Sequence, residues 1–289
     1  MQAKKIIPIV SAADNNYAPY LSVMMMTLLE HLAKDVEITF YIIDDQISAD
    51  SKEKLNQVVS NQPATISYLE VDSNLYADVL ESDHITQTAY YRISLPDLLA
   101  DKDYEKVLYI DCDVLVLDDV SKLYDTDIGE KVIGAIIDPG QALVLGRLGV
   151  ETEDYYFNSG LMLINLANWR KANITEKTLA FLEEEEDKII YHDQDALNAI
   201  VYEKWFPLHP KWNLQTSLLF ERHQPPTEHY KKWYKEAIQN PSIIHFTGHD
   251  KPWNSDEYHP YTELYLKELA KSPFQSAKKK IEKEKLNNL

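Results

Sequence analysis

Cysteine is nearly absent from this sequence, since Cys112 is the single one in 289 residues. One cysteine cannot form an internal disulfide, and it cannot supply the several thiolates of a cysteine-based zinc site. The count is the one expected of a protein in a reducing cytoplasm. Glycine is scarce as well, with seven residues, and no Gly-x-Gly-x-x-Gly follows the first predicted strand. This absence argues against a dinucleotide-binding dehydrogenase.

Positive charge is also in short supply. The chain has 29 Lys and Arg against 47 Asp and Glu, which gives a net charge of -18. Binding along a nucleic-acid backbone depends on clustered Lys and Arg, so we expect no nucleic acid among the partners. A substrate that carries phosphate would therefore need a metal ion to balance its charge.

Long apolar runs are missing. No stretch approaches 18 apolar residues, and the run within Met1–Val10 is too short for a signal peptide. We expect a soluble protein of the cytoplasm that contacts the inner face of the membrane only peripherally. The contact would come from a C-terminal tail, residues 271–289, whose lysines stand at 271, 278, 279, 280, 283 and 285. Each lysine near an anionic lipid surface adds roughly 1 kcal/mol, whereas the simpler interpretation of this tail is a frayed terminus.

The residues that are present favour an α/β fold. With 45% hydrophobic residues, the chain can bury a large core. Buried strands are predicted at Ile6–Val10, Val36–Ile43 and Thr65–Val71, with a helical pattern between successive strands. This alternation predicts a mostly parallel sheet with helices on both faces, and the ligands of such sheets lie beyond the carboxyl ends of the strands. A polar loop predicted at residues 11–17 lies at such an end.

The chain is organised around residues 104–117, Tyr-Glu-Lys-Val-Leu-Tyr-Ile-Asp-Cys-Asp-Val-Leu-Val-Leu. Val107–Ile110 is an apolar run without polar alternation, as in strands that are buried on both faces. Asp111 and Asp113 follow directly. Since alternate residues of a strand point the same way, both carboxylates can face one point while Cys112 faces the other side. Two carboxylates this close favour a cation between them, and a hard divalent ion such as Mg²⁺ or Mn²⁺ would meet that need.

An Asp-x-Asp pair leaves other interpretations open. Phosphatases of the haloacid dehalogenase type also carry this pair after a strand, but after their first strand, whereas here more than a hundred residues precede it. Later polar positions have structural interpretations too. Asn158 fits a turn, and His245 fits a hydrogen-bonded residue at a strand end. Asp193 or Asp195 fits the N-cap of a helix.

Several short motifs nevertheless occur together along the chain. They are Ala12-Ala13-Asp14-Asn15-Asn16-Tyr17, Arg92, Asp111-Cys112-Asp113, Phe157-Asn158-Ser159-Gly160, Asp193-Gln194-Asp195 and the stretch from His245 to Trp253. In this order and spacing, the sequence resembles the family 8 retaining glycosyltransferases over roughly residues 4 to 255. It is most similar to the bacterial lipopolysaccharide galactosyl- and glucosyltransferase type, and more distantly similar to glycogenin.

The resemblance implies an α/β fold of the GT-A type. This is a Rossmann-like nucleotide-sugar binding fold with a mixed, mostly parallel central sheet flanked by helices. Residues 1–255 would form the catalytic domain, and residues 256–289 would form a C-terminal helix and the Lys-rich tail.

The resemblance also implies which residues form the site. Asp111, Asp113 and His245 would hold Mn²⁺, with Mg²⁺ as its expected substitute, and the diphosphate of a UDP-sugar would complete the coordination. The uracil and ribose pocket would be lined by Ala12, Asp14 and Asn16, and Ala13 and Tyr17 would also bind the substrate. The phosphates would meet Gly248 and Lys251. The other substrate-binding positions would be Arg92, Cys112, Asp138, Asn158, Asp193 and Gln194. An acceptor-side match covers His84, Ile85 and Thr88.

The implied reaction is the transfer of a hexose, from UDP-glucose or UDP-galactose, to a hydroxyl of a glycan, glycoprotein or glycolipid acceptor, with retention at the anomeric carbon. Gln194 would lie beneath the anomeric centre, and Asp193 would bind sugar hydroxyls. Other functions stay open: a non-catalytic UDP-sugar binding or scaffold protein, a self-glycosylating primer, and a phosphohydrolase with Asp111 as nucleophile and Asp113 as acid and base.

Overall fold

The structure of the chain is a computed structural model that describes residues 4–72, 87–255, 257–277 and 281. Strands in this part of the chain are β1 Lys5–Asp14, β2 Val36–Asp45, β3 Ala64–Leu69, β4 Lys106–Ile110, β5 Val114–Val116, β6 Ile133–Ile137, β7 Phe157–Asn165, β8 Trp205–Pro207, β9 Leu214–Gln215 and β10 Ile243–His245. The α-helices are α1 Ala18–Glu30, α2 Ala49–Val59, α3 Gln87–Tyr90, α4 Leu95–Leu98, α5 Ser121–Tyr124, α6 Leu166–Lys171, α7 Ile174–Glu184, α8 His192–Val201, α9 Thr216–Leu219, α10 Glu228–Gln239 and α11 Thr262–Lys271.

Seven of the strands form the central sheet, in the order β3-β2-β1-β4-β7-β6-β8. All neighbours in it are parallel except β7, which runs antiparallel to both β4 and β6. A small second sheet has the order β5-β10-β9, with β10 antiparallel to β5 and parallel to β9. The predicted mixed, mostly parallel sheet is therefore confirmed.

Strand β4 lies at the centre of the core, as its apolar sequence predicts. Val107 and Tyr109 pack into the apolar layer on one face of the sheet, and Leu108 and Ile110 pack into the layer on the other face. The strand ends at Ile110. Asp111 and Asp113 therefore emerge beyond its carboxyl end, where the chain crosses from the central sheet to the second sheet.

Two local predictions need correction. Residues 11–14 continue β1 instead of forming a loop, because they pair with β2 up to the register Asp14↔Asp45. Asn158 is not a turn residue, because β7 begins at Phe157 and Asn158 pairs with Ile136 across the sheet. Both segments thus present their polar residues from regular strands.

In the described part of the chain, no helix is long and apolar enough to cross a bilayer.

Candidate active site at the carboxyl end of the central sheet

Asp111 and Asp113 open into a cleft of about 500 Å³ at the carboxyl ends of β1 and β4. The residue between them points away, as the period of two predicts. The thiol of Cys112 donates to the backbone oxygen of Ala12 at 2.9 Å and lies in the apolar layer behind the cleft. Burial raises the pKa of this thiol well above its ordinary value. Cys112 also borders the cleft, but as a neutral group.

His245 reaches the two aspartates from the second sheet. Antiparallel pairing of β10 with β5 sets His245 opposite Val114, next to Asp113. Its Nε2 atom lies 3.2 Å from Asp113 Oδ1 and 3.9 Å from Asp111 Oδ2. One ligand atom from each of the three residues falls within a 4.8 Å group. The structure thus brings together the three residues that were predicted to bind metal.

The other nitrogen of His245 is fixed by a hydrogen bond. Nδ1 lies 2.8 Å from the amide oxygen of Asn213, and the amide nitrogen of Asn213 donates to Asn158 Oδ1 at 2.9 Å. The amide oxygen of Asn213 can only accept a hydrogen bond from Nδ1. The proton of a neutral His245 therefore lies on Nδ1. Nε2 then carries a lone pair that faces the carboxylates, which is the form that binds metal.

Gly160 leaves the space that a metal site of this kind needs. A β-carbon at this position would lie 2.6 Å from Asp111 Oδ2 and would overlap the imidazole of His245. Only a residue without a side chain lets β7 pass this close to both ligands. Two carboxylates and one imidazole are a donor set that suits Mn²⁺. The residues therefore fit a divalent cation.

Arg92 links the metal-binding carboxylates to the remainder of the cleft. Its guanidinium is buried, lying 3.1 Å from Asp111 Oδ1 and 3.1 Å from Asp193 Oδ2. Burial alone would lower the pKa of Arg92, but the two carboxylates outweigh it and raise that pKa. A further nitrogen donates to the backbone oxygen of Ser159 at 2.8 Å. Arg92 is thereby held as a fixed positive charge between Asp111 and Asp193.

Asp193 and Gln194 lie in the first turn of α8 and line the same cleft. Burial raises the pKa of Asp193 to about 6, although Arg92 acts against this shift. The Gln194 amide oxygen accepts from the Ser159 backbone at 2.9 Å and from Asn158 at 3.0 Å. Its amide nitrogen donates to Asp138 Oδ2 at 3.1 Å. Both ends of the Gln194 amide are thus oriented by partners.

The sequence did not predict what holds this turn in place. Asp195 is fully buried, and its carboxylate accepts from Arg147 at 2.7 and 3.0 Å and from the Tyr156 hydroxyl at 2.7 Å. It also accepts from the backbone nitrogens of Ile190 and Tyr191, each at 2.7 Å. The predicted N-cap role of Asp193 or Asp195 is therefore wrong: both lie inside the helix, and Tyr191 precedes it without a side-chain cap.

His192 is another residue that sequence reasoning missed. It borders the cleft with its backbone in the left-handed region, at a φ of 53°, and the hydroxyl of Tyr90 lies 2.9 Å from its Nδ1. A left-handed conformation is unusual outside glycine and often marks a functional turn. Here it precedes the two residues that carry polar groups into the cleft.

The residues predicted to bind the donor or the acceptor do not all lie at the cleft. Ala12, Ala13, Asp14, Tyr17, Thr88, Asp138, Asn158, Gly248 and Lys251 all border the cleft. Asn16 does not, because its exposed amide turns back to Asp14 Oδ2 at 3.3 Å. Lys251 pairs with Asp113. His84 and Ile85 lie outside the described residues. Which of these residues bind substrate stays a prediction.

Comparison with known proteins places this geometry among sugar-transferring enzymes. A sequence model described as "Glycosyl transferase family 8" matches residues 8–257. General stress protein A of Bacillus subtilis is 46% identical over 268 residues, which cover 92% of this chain and 94% of that protein. The lipopolysaccharide 1,3-galactosyltransferase of Salmonella typhimurium is 25% identical over 82% of this chain and 70% of its own length.

Solved structures agree. The galactosyltransferase LgtC, crystallised with donor and acceptor sugar analogues, superposes with a TM-score of 0.81 at 29% identity, covering 92% of this chain and 96% of that one. This match confirms the predicted GT-A type of fold.

Proposed function

The chain belongs to glycosyl transferase family 8, and from this premise we propose that it transfers a hexose, glucose or galactose, from a UDP-sugar to a hydroxyl of a glycan or glycoconjugate acceptor. The transfer retains the configuration at the anomeric carbon and depends on Mn²⁺, with Mg²⁺ as a substitute.

One observation carries the proposal. Asp111 and Asp113 lie in the connection between β4 and β5, and His245 ends β10 of the second sheet, yet one ligand atom from each meets within 4.8 Å beside Arg92 and Asp193. A divalent ion held there would neutralise the charge that develops on the leaving UDP. In this protein the cation is needed all the more because the chain carries a net charge of -18.

The residues of the cleft have separable roles in this reaction. The bond between the sugar and UDP breaks, the acceptor oxygen forms its bond on the same face, and the acceptor's proton passes to the departing phosphate. Gln194, oriented at both ends of its amide, presents a fixed dipole to the positive charge that develops at the anomeric centre. Asp193 accepts hydrogen bonds from sugar hydroxyls, and Arg92 keeps it oriented. Asp195 takes no direct part, because it is fully buried and paired with Arg147.

The acceptor enters over the rim next to α8. Ile190 and Tyr191 border the cleft and are 57% and 38% exposed. The Tyr191 hydroxyl is held by the Gln141 amide at 2.8 Å, so the ring has a fixed orientation. An exposed, oriented aromatic ring suits the apolar face of a sugar.

Contact of the Lys-rich tail with anionic lipid is a separate part of the proposal. Of its lysines only Lys271 lies among the described residues, and it pairs with Glu268 and Glu30.

The test is the release of UDP from a panel of donors: UDP-glucose, UDP-galactose and their N-acetylated forms. Each donor is incubated with the enzyme and Mn²⁺, or with a chelator in place of the metal, and without an acceptor. We expect slow release that needs Mn²⁺ and favours one hexose, and at least a hundredfold slower release from Asp113→Asn. Release that is indifferent to chelation would refute the metal-dependent reaction. Binding of UDP with Mn²⁺ but without turnover, even with acceptor sugars present, would indicate a binding protein.

A further inference from the structure

Lys251 forms an ion pair that the phosphate-binding role predicted for it does not explain. Its ammonium group contacts Asp113 Oδ2 and the backbone oxygen of Phe246, and its side chain is only 10% exposed. The other carboxylate oxygen of Asp113 faces His245 Nε2 at 3.2 Å. The ammonium thus holds one of the two oxygens of this metal-binding carboxylate, and the other oxygen faces the lone pair of His245 Nε2.

A divalent cation and the Lys251 ammonium compete for the same carboxylate. A cation bound by Asp113 would come within a few ångströms of the ammonium, and like charges this close repel strongly at a buried site. Arg92 already supplies a positive charge to Asp111 at 3.1 Å. An ammonium on Oδ2 therefore opposes the binding of a metal ion at Oδ1.

The surrounding chain gives Lys251 room to move. The segment 247–251 is anchored at both ends, by Phe246, which is fully buried, and by Trp253, whose ring stacks on Tyr20 at 3.7 Å. Between these anchors, residues 248–250 are exposed. Gly248 has a φ of 85°, and a β-carbon there would meet no atom within 4 Å. The side chain of Lys251 and the exposed residues 248–250 can therefore shift while both anchors stay in place.

We propose that Lys251 exchanges one anionic partner for another during substrate binding: it pairs with Asp113 when no donor is bound, and it pairs with the diphosphate when metal and UDP-sugar occupy the cleft. This inference rests on the proposed function and adds a second role to Lys251. The lysine weakens the binding of metal alone, and the nucleotide removes that obstacle by giving the ammonium group another anion. Metal and nucleotide consequently bind with positive coupling.

The test measures the two ligands separately with Lys251→Met, which keeps the length of the side chain and removes its charge. Binding of Mn²⁺ without nucleotide is followed by the electron paramagnetic resonance signal of the free ion, and binding of UDP at saturating Mn²⁺ by calorimetry. We expect Mn²⁺ alone to bind about tenfold tighter to the variant and UDP to bind about tenfold more weakly. The opposite signs are the signature of the exchange.

Controls separate this role from the simpler ones. Lys231→Met removes the same charge from an exposed position on α10, where Lys231 pairs with Glu228, and should change neither affinity. Lys251→Gln, which can still donate to the Phe246 oxygen, should repeat the result if Lys251→Met fails to fold. An unchanged affinity for Mn²⁺ alone would reduce Lys251 to a phosphate contact and overturn the proposal. Loss of both affinities would mean a structural role and would overturn it too.

Binding of Mn²⁺ to the wild-type protein distinguishes a failure of the proposed function from a failure of the Lys251 exchange. If the wild type binds no Mn²⁺ even with UDP present, the metal-dependent function itself fails. If it binds Mn²⁺ with UDP and the Lys251 variants bind Mn²⁺ alone no better than wild type does, only the exchange fails.

Discussion

Gly160 lies under two of the three residues of the metal site, and its missing side chain is a requirement. A β-carbon there would crowd Asp111 Oδ2 at 2.6 Å and overlap His245. We expect Gly160→Ala to reduce the affinity for Mn²⁺ in the presence of UDP at least tenfold, with a loss of stability of about 1–3 kcal/mol from overpacking. Gly146→Ala is the matched control, because a β-carbon at Gly146 would meet nothing within 4 Å. Unchanged metal affinity in Gly160→Ala would contradict the site geometry.

Asp193 is the carboxylate whose ionisation should shape the acid side of the pH profile. Burial raises its pKa to about 6, so it loses its charge and its pairing with Arg92 below that pH. We expect kcat/KM to fall about tenfold per pH unit on the acid side of the profile, with the limb at about pH 6 when Mn²⁺ is far below saturation. A bound divalent cation would shift this limb to lower pH, since it favours the charged carboxylate. The residual activity of Asp193→Asn should not show this decrease at acid pH. If the decrease persists in the variant, a group other than Asp193 causes it.

The same shift has a consequence for stability, with a definite sign. The folded pKa of Asp193 lies above its ordinary value of 3.8. Its contribution to stability is therefore full below pH 3.8 and is lost as pH rises through about 6. Asp193→Asn should accordingly have a higher Tm relative to wild type at pH 8 than at pH 4. A Tm difference that is independent of pH would show that Asp193 titrates normally in the fold.

At the scale of elements, the first turn of α8 depends on a partly buried ion pair outside the cleft. Arg147 binds both oxygens of Asp195, whose carboxylate also holds the backbone of Ile190 and Tyr191. We expect Arg147→Met to lower stability by about 2 kcal/mol, as for the loss of a charged hydrogen bond, and to lower kcat about tenfold. Its affinity for Mn²⁺ with UDP should stay unchanged, because the metal site is on other elements. Arg170→Met, which removes an arginine bonded to the Pro96 oxygen, serves as control and should leave kcat unchanged.

The local sequence pattern was sufficient to predict some elements of the fold and insufficient to predict others. The apolar run of β4 predicts both a buried strand and the place where it ends, because burial on two faces leaves a continuous signal. The second sheet has no such signal. Its strands are only two or three residues long, and β10 meets β5 across more than a hundred residues of chain. That pairing is what sets His245 beside Asp113. Only the resemblance to a family, and not periodicity, pointed to His245.

Supporting residues of the cleft were harder to predict than the residues they support. Asn213, which orients His245, and Asp195, which holds the turn before Asp193, act through contacts with residues 32 and 48 positions away in the chain. A buried polar residue gives no periodic pattern by which its partner could be identified. In the same way, Lys251 could be predicted near phosphate, but its pairing with Asp113 could not.

At the scale of the whole molecule, His259 connects acid stability to the packing behind the site. Its ring lies 4.7 Å from that of Phe246, whose backbone oxygen is bound by Lys251. Burial lowers the pKa of His259 to about 4, and its Nε2 has no hydrogen-bond partner among the described residues. A folded pKa below the ordinary 6.5 means that the stability present above pH 6.5 is lost as pH falls toward 4.

This effect can be isolated with His259→Gln, which does not titrate. As pH falls from 7 to 4, the Tm of wild type should fall more steeply than that of the variant, because only wild type has to keep a buried imidazole neutral. Thermal melts followed by circular dichroism at matched ionic strength measure the difference. Parallel curves for the two proteins would show that His259 is not protonated on unfolding in this range.

The account as a whole states that a UDP-hexose reacts at this cleft with retention, and the configuration of a transfer product tests that most directly. Methanol serves as a generic acceptor, since a methyl glycoside does not change its anomeric form after release. With Mn²⁺ and the donor that the release panel selects, proton NMR should show the methyl α-glycoside from the α-linked UDP-sugar, and no product from Asp113→Asn. A methyl β-glycoside would contradict the retaining reaction and the roles assigned to Gln194 and Asp193.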